Sequence, residues 1–129
     1  YPEKYDVMVL PNLYGDIISD LCAGIIGGLG VAPGANMGDD YAVFEATHGS
    51  APDIAGKDKV NPTGILLSTV LMLRHINQTD AADRLEKAIS EVIKAGRHVT
   101  GDLKNEEAQD PPVGTKAMGE AIADKVQSL

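Results

Sequence analysis

The spacing of apolar residues along the first half of the chain predicts alternating strands and helices. The run YDVMVL at 5–10 is apolar and rich in valine up to Pro11, which predicts a buried strand. A helix is expected over 16–26, a turn-rich connection over 27–38 and a second strand over 41–46. Alternation of this kind favours the α/β class, in which strands and helices pack in layers.

The second half of the chain predicts helices alone. Asn61 is expected to cap a helix over 61–75, which is apolar nearly all round and is therefore expected to be deeply buried. An amphipathic helix is expected over 80–95, an acidic, mobile surface loop over 101–114, and a last amphipathic helix capped by Thr115. Two strands against three or four helices indicate a piece of a larger sheet.

Composition and charge narrow the possible functions. Among the 129 residues, 43% are hydrophobic, which suffices for an ordinary core, and the formal charge of −8 argues against binding to nucleic acid or to an anionic membrane. No apolar stretch is long enough to span a membrane. The single cysteine, Cys22, lies among apolar residues and is expected to be a buried, inert thiol. Because the net charge is −8, an anionic substrate would require a metal ion or local basic groups.

Asp16 and Asp20 are the first candidates for chemistry. Their spacing of four residues stacks both carboxylates on one helix face, where like charges repel by about 0.2–0.5 kcal/mol. Either both lie in water, as a helix-start residue and a solvated surface residue, or a cation lies between them. The apolar neighbours and the position after a predicted strand favour a site, and hard oxygen ligands suit Mg²⁺ or Mn²⁺.

The polar loop HGSAPDIAGKDKVN at 48–61 is the second candidate. It is either an ordinary strand-to-helix loop or a nucleotide cradle, since its glycines free backbone N–H groups beside His48 and Asp53. A carboxylate such as Asp53 can accept hydrogen bonds from both ribose hydroxyls of an adenosine, and it would repel a 2′-phosphate. A nucleotide without a 2′-phosphate would therefore suit this loop better than one that carries it.

Three longer motifs stand along the chain in the order NLYGDIISDL, GGLGVAPGANMG and EATHGSAPDIAGKDKVNPTGILLS. Together they resemble the C-terminal portion of the isocitrate/isopropylmalate dehydrogenase family, whose members are metal-dependent β-decarboxylating dehydrogenases. NLYGD and APGANMG look closer to the members that oxidise isocitrate, and HGSAPDIAG is shared by NAD-dependent members. The resemblance implies an α/β fold in which residues 1–129 are a C-terminal fragment of a single domain.

The resemblance also implies roles for particular residues. Asp16 and Asp20 would supply two carboxylates to Mg²⁺ or Mn²⁺, with a third from a partner subunit, so that a homodimer or higher oligomer shares the metal site. The family's substrate-binding Ser and Arg, its general-acid Tyr and its partner-chain Lys have no counterpart here, so no catalytic residue is expected in this segment. The residues expected to bind NAD are Glu45, His48, Gly49, Ser50, Ala51, Pro52, Asp53, Ile54 and Asn61.

The activity that the resemblance implies is the oxidative decarboxylation of isocitrate to 2-oxoglutarate with reduction of NAD. This chain would supply metal and cofactor contacts, would be inactive alone, and would lie in the bacterial cytoplasm or the mitochondrial matrix rather than outside the cell. An isopropylmalate or homoisocitrate dehydrogenase is an alternative, as is a non-catalytic regulatory subunit of the same family. The intact Asp16, Asp20 and Asp53 argue against a regulatory subunit.

Overall fold

The structure is a computed structural model that describes residues 1–105 and 110–129. The described residues form four helices and a two-stranded sheet, which confirms the predicted α/β class. In chain order the elements are α1 (Asn12–Ile26), β1 (Pro33–Met37), β2 (Ala42–Ala46), α2 (Thr63–His75), α3 (Thr79–Ala95) and α4 (Thr115–Ser128), with short 3₁₀ turns at Pro2–Lys4, Leu29–Val31 and Gly101–Leu103.

The hydrophobic core lies between α2, α3 and α4, as the amphipathic pattern of the last two helices predicts. Apolar residues three or four positions apart point to one side of a helix, so their faces meet when the helices pack. Helix α3 ends at Gly96, whose φ of 67° is the left-handed conformation that terminates helices at low cost. The buried core residues are Val70, Ala82, Ala88, Ile89, Val92, Val99, Met118 and Ile122.

Helix α2 is only partly buried, so the expectation of deep burial is wrong for much of its surface. Ser68 and Val70 are buried against the rest of the chain, whereas Ile65 is 48% exposed and Met72 is 37% exposed. The helix is apolar on more faces than the described residues cover. The helix begins at Thr63, within two residues of the predicted start. Asn61 caps it, since the Asn61 Oδ1 accepts a hydrogen bond from the backbone N–H of Thr63 at 2.9 Å.

The two strands form an antiparallel hairpin, with Gly34 opposite Glu45 in the register. The second strand is as predicted, but the expected turn-rich connection over 27–38 is wrong because Pro33–Met37 is a strand. Its sequence PGANM has weak strand propensity, and it is extended because it pairs with β2. A Cβ at position 34 would lie 2.8 Å from the carbonyl oxygen of Glu45, so only glycine allows this close approach.

The N-terminal run at 5–10 is not the buried strand that its sequence predicts. None of the described residues pairs with it, and Val7 and Val9 are 81% and 91% exposed. A strand exists only where a neighbour satisfies its backbone N–H and C=O groups. Among the described residues, the apolar pattern alone therefore does not make this segment a strand.

Helix α1 begins at Asn12, four residues earlier than expected. Among its 15 residues, all described, Ala23 alone is buried. Cys22 is exposed, so the expectation of a buried thiol is wrong. Leu21, Ile25 and Ile26, near Cys22 on the same helix, are also exposed, so an apolar flank does not guarantee burial here.

Two remaining expectations concern the last loop and membrane association. The acidic loop expected over 101–114 includes residues 106–109, which lie outside the described residues, and its first residues form the 3₁₀ turn Gly101–Leu103. Among the described residues, no helix combines the length and apolar character needed to cross a bilayer.

Candidate functional site

The first candidate site is the carboxylate pair on α1. Asp16 and Asp20 lie one turn apart and both are exposed, and Ser19 between them donates its hydroxyl to the Asp16 carbonyl oxygen at 3.0 Å. In the described part of the chain, no group of three or more His, Cys, Asp or Glu side chains could hold a metal ion together. The pair is nevertheless a chemically suitable partial ligand set, since Mg²⁺ commonly takes one or two carboxylates and completes its shell with water and substrate oxygens.

The end of the hairpin carries the predicted cofactor residues Glu45 and His48. The exposed Glu45 carboxylate accepts a hydrogen bond from the Asn36 side-chain amide at 3.1 Å, across the two strands. His48 is half-buried, with its Nδ1 atom 3.0 Å from the carbonyl oxygen of Gly49. Thr47 donates its hydroxyl to the Pro33 carbonyl oxygen at 3.2 Å, which holds the chain against β1 as it leaves the sheet.

The loop that follows is a succession of tight turns. Its residues from Gly49 to Ile54 are all exposed, and Ala51 has a φ of 42°, an unusual left-handed conformation for a residue with a side chain. The Ala51 carbonyl oxygen accepts hydrogen bonds from the Ile54 and Ala55 N–H groups at 3.0 and 3.1 Å. The turn leaves the Asp53 carboxylate exposed to solvent, where a ligand can reach it.

The loop ends at a cleft of about 750 Å³, a volume typical of small-molecule sites. One wall is the end of the loop, and the other consists of the 3₁₀ turn after α3 and the residues before α4. Of the nine predicted cofactor residues, Ile54 and Asn61 line the cleft, whereas the other seven, Asp53 among them, do not. The lining residues are Gly30, Ile54, Lys57, Asp58, Lys59, Val60, Asn61, Gly101, Asp102, Pro112, Val113 and Gly114.

Asn61 fixes the floor of this cleft. It is 5% exposed, and its amide nitrogen donates to the Asp102 carboxylate at 2.8 Å while its oxygen caps α2. Asp102 also accepts a hydrogen bond from the buried Thr100 hydroxyl at 2.6 Å. A Cβ at Gly30 would lie 3.6 Å from the Asn61 Cβ and 3.9 Å from Asp102 Oδ2, both ordinary van der Waals distances, so Gly30 lies close against this end of the cleft.

Sequence reasoning missed two residues of the cleft, Asp58 and Asp102. Asp102 lies 41 residues after Asn61, and no motif in the sequence links the two positions. Asp58 caps α4, since its Oδ1 accepts a hydrogen bond from the Lys116 N–H at 2.9 Å. The expectation that Thr115 caps this helix is wrong, because its hydroxyl donates to the carbonyl oxygen of Val60 instead. The available signal was Asp58 itself, a good capping residue placed in a loop.

Comparisons with known proteins agree with the geometry. A model of the isocitrate/isopropylmalate dehydrogenase family matches residues 1–122. A mitochondrial protein of Drosophila melanogaster, named as a probable alpha subunit of NAD isocitrate dehydrogenase, is 61% identical over 102 residues, covering 79% of this chain and 27% of that protein. A mitochondrial protein of Dictyostelium discoideum, named as a regulatory subunit of NAD isocitrate dehydrogenase, is 56% identical over 103 residues, covering 79% of this chain and 29% of that protein.

A solved structure matches over nearly the whole chain. The crystal structure of isocitrate dehydrogenase from Methylococcus capsulatus superposes with a TM-score of 0.88 at 55% identity, covering 98% of this chain and 36% of that one. The chain thus spans between a quarter and a third of the length of the two curated relatives described. Sequence motifs, fold and family match therefore agree, and the chain belongs to the isocitrate/isopropylmalate dehydrogenase family.

Proposed function

We propose that this chain is the C-terminal part of an NAD-dependent isocitrate dehydrogenase. The reaction converts isocitrate and NAD⁺ to 2-oxoglutarate, CO₂ and NADH. The cleft between residues 54–61 and Asp102 is the observation that carries the proposal, because it offers about 750 Å³ and is lined by Ile54, the residue that follows Asp53. The relatives named above as NAD isocitrate dehydrogenase subunits favour isocitrate over isopropylmalate or homoisocitrate.

The cofactor is proposed to bind with its adenosine half at the loop and the cleft. The exposed Asp53 carboxylate accepts hydrogen bonds from the ribose hydroxyls, and its charge disfavours the 2′-phosphate of NADP. Ile54 and Asn61, both in the cleft lining, contact the adenine. The exposed backbone of Gly49–Pro52 would contact the phosphates, and Glu45 and His48 would lie toward the nicotinamide.

The metal site is proposed to use Asp16 and Asp20 as two of its ligands. A bound Mg²⁺ or Mn²⁺ would act there as a Lewis acid toward the oxygens of the substrate. Two carboxylates leave the coordination shell incomplete, and the remaining protein ligand is proposed to come from a partner subunit. This proposal implies a homodimer or a larger oligomer, and the relatives are themselves named as subunits.

The acid–base groups of the reaction are proposed to lie outside these residues. The chain supplies contacts to cofactor and metal, and we propose that it has no turnover alone. The mitochondrial names of the two relatives favour the mitochondrial matrix as the compartment.

A regulatory subunit of the same enzyme is a second candidate, because one relative at 56% identity is named as regulatory. Such a subunit would keep the fold and could keep the nucleotide cleft while contributing no turnover of its own. The intact carboxylates at Asp16, Asp20 and Asp53 favour the catalytic subunit.

The test is NADH formation by the full-length protein with Mn²⁺ and one of three substrates, isocitrate, isopropylmalate or homoisocitrate. The proposal predicts turnover with isocitrate and NAD, and much weaker turnover with NADP. Turnover with another substrate would assign the enzyme to a neighbouring branch. If none of the three is oxidised until a second subunit is added, the regulatory assignment replaces ours.

A further inference from the structure

Asp58 has a backbone conformation that its residue type does not require. Its φ of 52° is left-handed, which an aspartate tolerates better than most residues but which still costs free energy. The hydrogen bonds of Asp58 with the start of α4 account for this conformation. Asp58 Oδ1 accepts the Lys116 N–H at 2.9 Å, and the Asp58 carbonyl oxygen accepts the Thr115 N–H at 3.2 Å. Asp58 thus accepts hydrogen bonds from the first backbone N–H groups of α4, although it lies more than 50 residues earlier in the chain.

Gly114, the residue directly before α4, leaves the space that Asp58 occupies. A Cβ at Gly114 would lie 2.1 Å from Asp58 Oδ2 and 2.7 Å from the Asp58 carbonyl oxygen, so no other residue fits without displacing Asp58. The φ of Gly114 is −80°, an ordinary value for any residue. The glycine is therefore needed for the close approach of Asp58 and not for its own conformation. A further hydrogen bond, from the Thr115 hydroxyl to the Val60 carbonyl oxygen, lies beside it.

The two residues lie on opposite walls of the same cleft. Asp58 belongs to the loop wall and Gly114 to the wall that leads into α4, and both line the space of about 750 Å³. The Asn61–Asp102 hydrogen bond joins the walls at a second point. A carboxylate at a helix N-terminus is also favoured by the helix dipole, which strengthens the contact of Asp58 with α4.

We propose that Asp58 is a positioning residue that holds the two walls of the cofactor cleft at the spacing the adenosine half of NAD requires. This inference rests on the proposed function, since it assumes that the cleft binds NAD. A cleft with its walls fixed before binding loses less conformational entropy when the ligand enters, so its affinity is higher. Breaking the contact should weaken NAD binding and leave the chemical step unchanged.

The experiment measures NAD binding by calorimetry and steady-state kinetics in the full-length enzyme carrying Asp58→Ala. Loss of one helix cap and its preorganisation should raise the Kd and the KM for NAD by roughly five- to tenfold. The kcat at saturating NAD and the KM for isocitrate should stay within about twofold of the wild type, because Asp58 contacts neither the substrate nor the reacting atoms. Hydrogen exchange at the Thr115 and Lys116 amides, which Asp58 caps, should rise in the same variant.

Four further variants separate the contact between Asp58 and α4 from other effects. Asp58→Asn keeps an acceptor oxygen and the left-handed conformation, and it should restore NAD binding. Asp58→Gly keeps the conformation but removes the side chain, and it should behave like Asp58→Ala. Gly114→Ala should raise the KM for NAD from the opposite wall.

Asn77→Ala is the matched control, since Asn77 is also left-handed, with a φ of 59°, in the turn between α2 and α3. It should lower stability without changing NAD affinity.

The outcomes are distinct. If Asp58→Gly binds NAD as the wild type does, the backbone conformation alone matters, and the inference that the Asp58 side chain holds the cleft walls is wrong. If Asn77→Ala raises the KM for NAD as much as Asp58→Ala does, the effect is general destabilisation and the inference fails. If the wild type binds no NAD, the proposed function fails. Faster exchange at Thr115 and Lys116 in Asp58→Ala would then still establish the contact, whereas unchanged exchange would refute it as well.

Discussion

Residues 5–26 and residues 63–128 are both rich in apolar side chains, but most of the buried ones belong to the second region. Helices α2, α3 and α4 enclose a shared core, while Leu13, Ile17 and Leu21 on α1 are 65%, 55% and 58% exposed. The proposed nucleotide cleft lies against the buried region and the proposed metal-binding pair lies on the exposed one. On this proposal, the cofactor half of the site would be held by this chain's own core, whereas the metal half would need ligands from outside the described residues.

Substitutions in the two regions should test that difference most strongly. Met118→Ala removes a fully buried side chain from the core, and it should lower the free energy of unfolding of the 129-residue chain by about 2–5 kcal/mol. Ile17→Ala on α1 should change it by less than about 0.5 kcal/mol, because that side chain is 55% exposed. Urea denaturation followed by circular dichroism gives both values. Equal losses would mean that α1 is packed as firmly as α4.

The cofactor half can be tested by reversing its charge. Replacing Asp53→Lys together with Ile54→Tyr in the full-length enzyme exchanges a carboxylate that repels a 2′-phosphate for a cation that attracts it. The ratio of kcat/KM for NADP to that for NAD should rise by roughly 100-fold. Asp124→Lys, an exposed exchange on α4 outside the cleft lining, is the control for the change in charge. An unchanged ratio would show that Asp53 does not face the ribose.

The metal half should respond to a single neutral substitution. Asp20→Asn removes one of two carboxylates available on α1, and it should raise the Mn²⁺ concentration for half-maximal rate in the full-length enzyme by roughly tenfold or more. The KM for NAD at saturating Mn²⁺ should stay close to that of the wild type. Asp6→Asn, another exposed carboxylate near the N-terminus, is the matched control. An unaltered metal requirement would leave Asp20 as an ordinary solvated residue.

The smallest expected effect concerns the ion pair that joins α3 to α4. Lys125 lies 2.6 Å from Glu91 and, chiefly by donating a hydrogen bond to it, lowers the pKa of Glu91 below its usual 4.5. A lowered folded-state pKa means that the stabilisation is present above pH 4.5 and is lost as the pH falls through the lower, folded value. Glu91→Gln should therefore lower the Tm slightly at pH 7 and reduce its fall below pH 4.5.

Glu120→Gln is the control for that measurement, because Glu120 is 65% exposed and 3.9 Å from Lys116. Its Tm should follow the wild type at every pH, since exposed pairs at such distances contribute little. A larger pH effect at Glu120 than at Glu91 would contradict the assignment.

Local patterns predicted the helices well and the sheet poorly. Helix α3 and its end at Gly96 follow from periodicity and a glycine, both of which are local signals. The strand Pro33–Met37 was missed and the strand at 5–10 was predicted wrongly, because strands depend on partners distant in sequence. The prediction of burial was wrong for the same reason at Cys22, whose apolar neighbours have little to pack against among the described residues.

The candidate site divides in the same way. The loop at 48–61 and its position after a strand are readable from glycine, proline and polar residues in a row. Asp58 and Asp102 were missed because their partners are Gly114, Lys116 and Asn61, which lie far along the chain. Sequence spacing identifies residues that act through a local motif, and it does not reveal contacts that only the fold creates.

The decisive measurement is NADH formation from isocitrate and Mn²⁺, made on the 129-residue chain alone and on the full-length parent under the same conditions. If this chain carries a cofactor cleft and an incomplete metal site, the parent turns over and the chain alone does not. Turnover by the chain alone, in a preparation free of the parent, would contradict this division of the site, since the metal ligands and acid–base groups would then all lie within these residues.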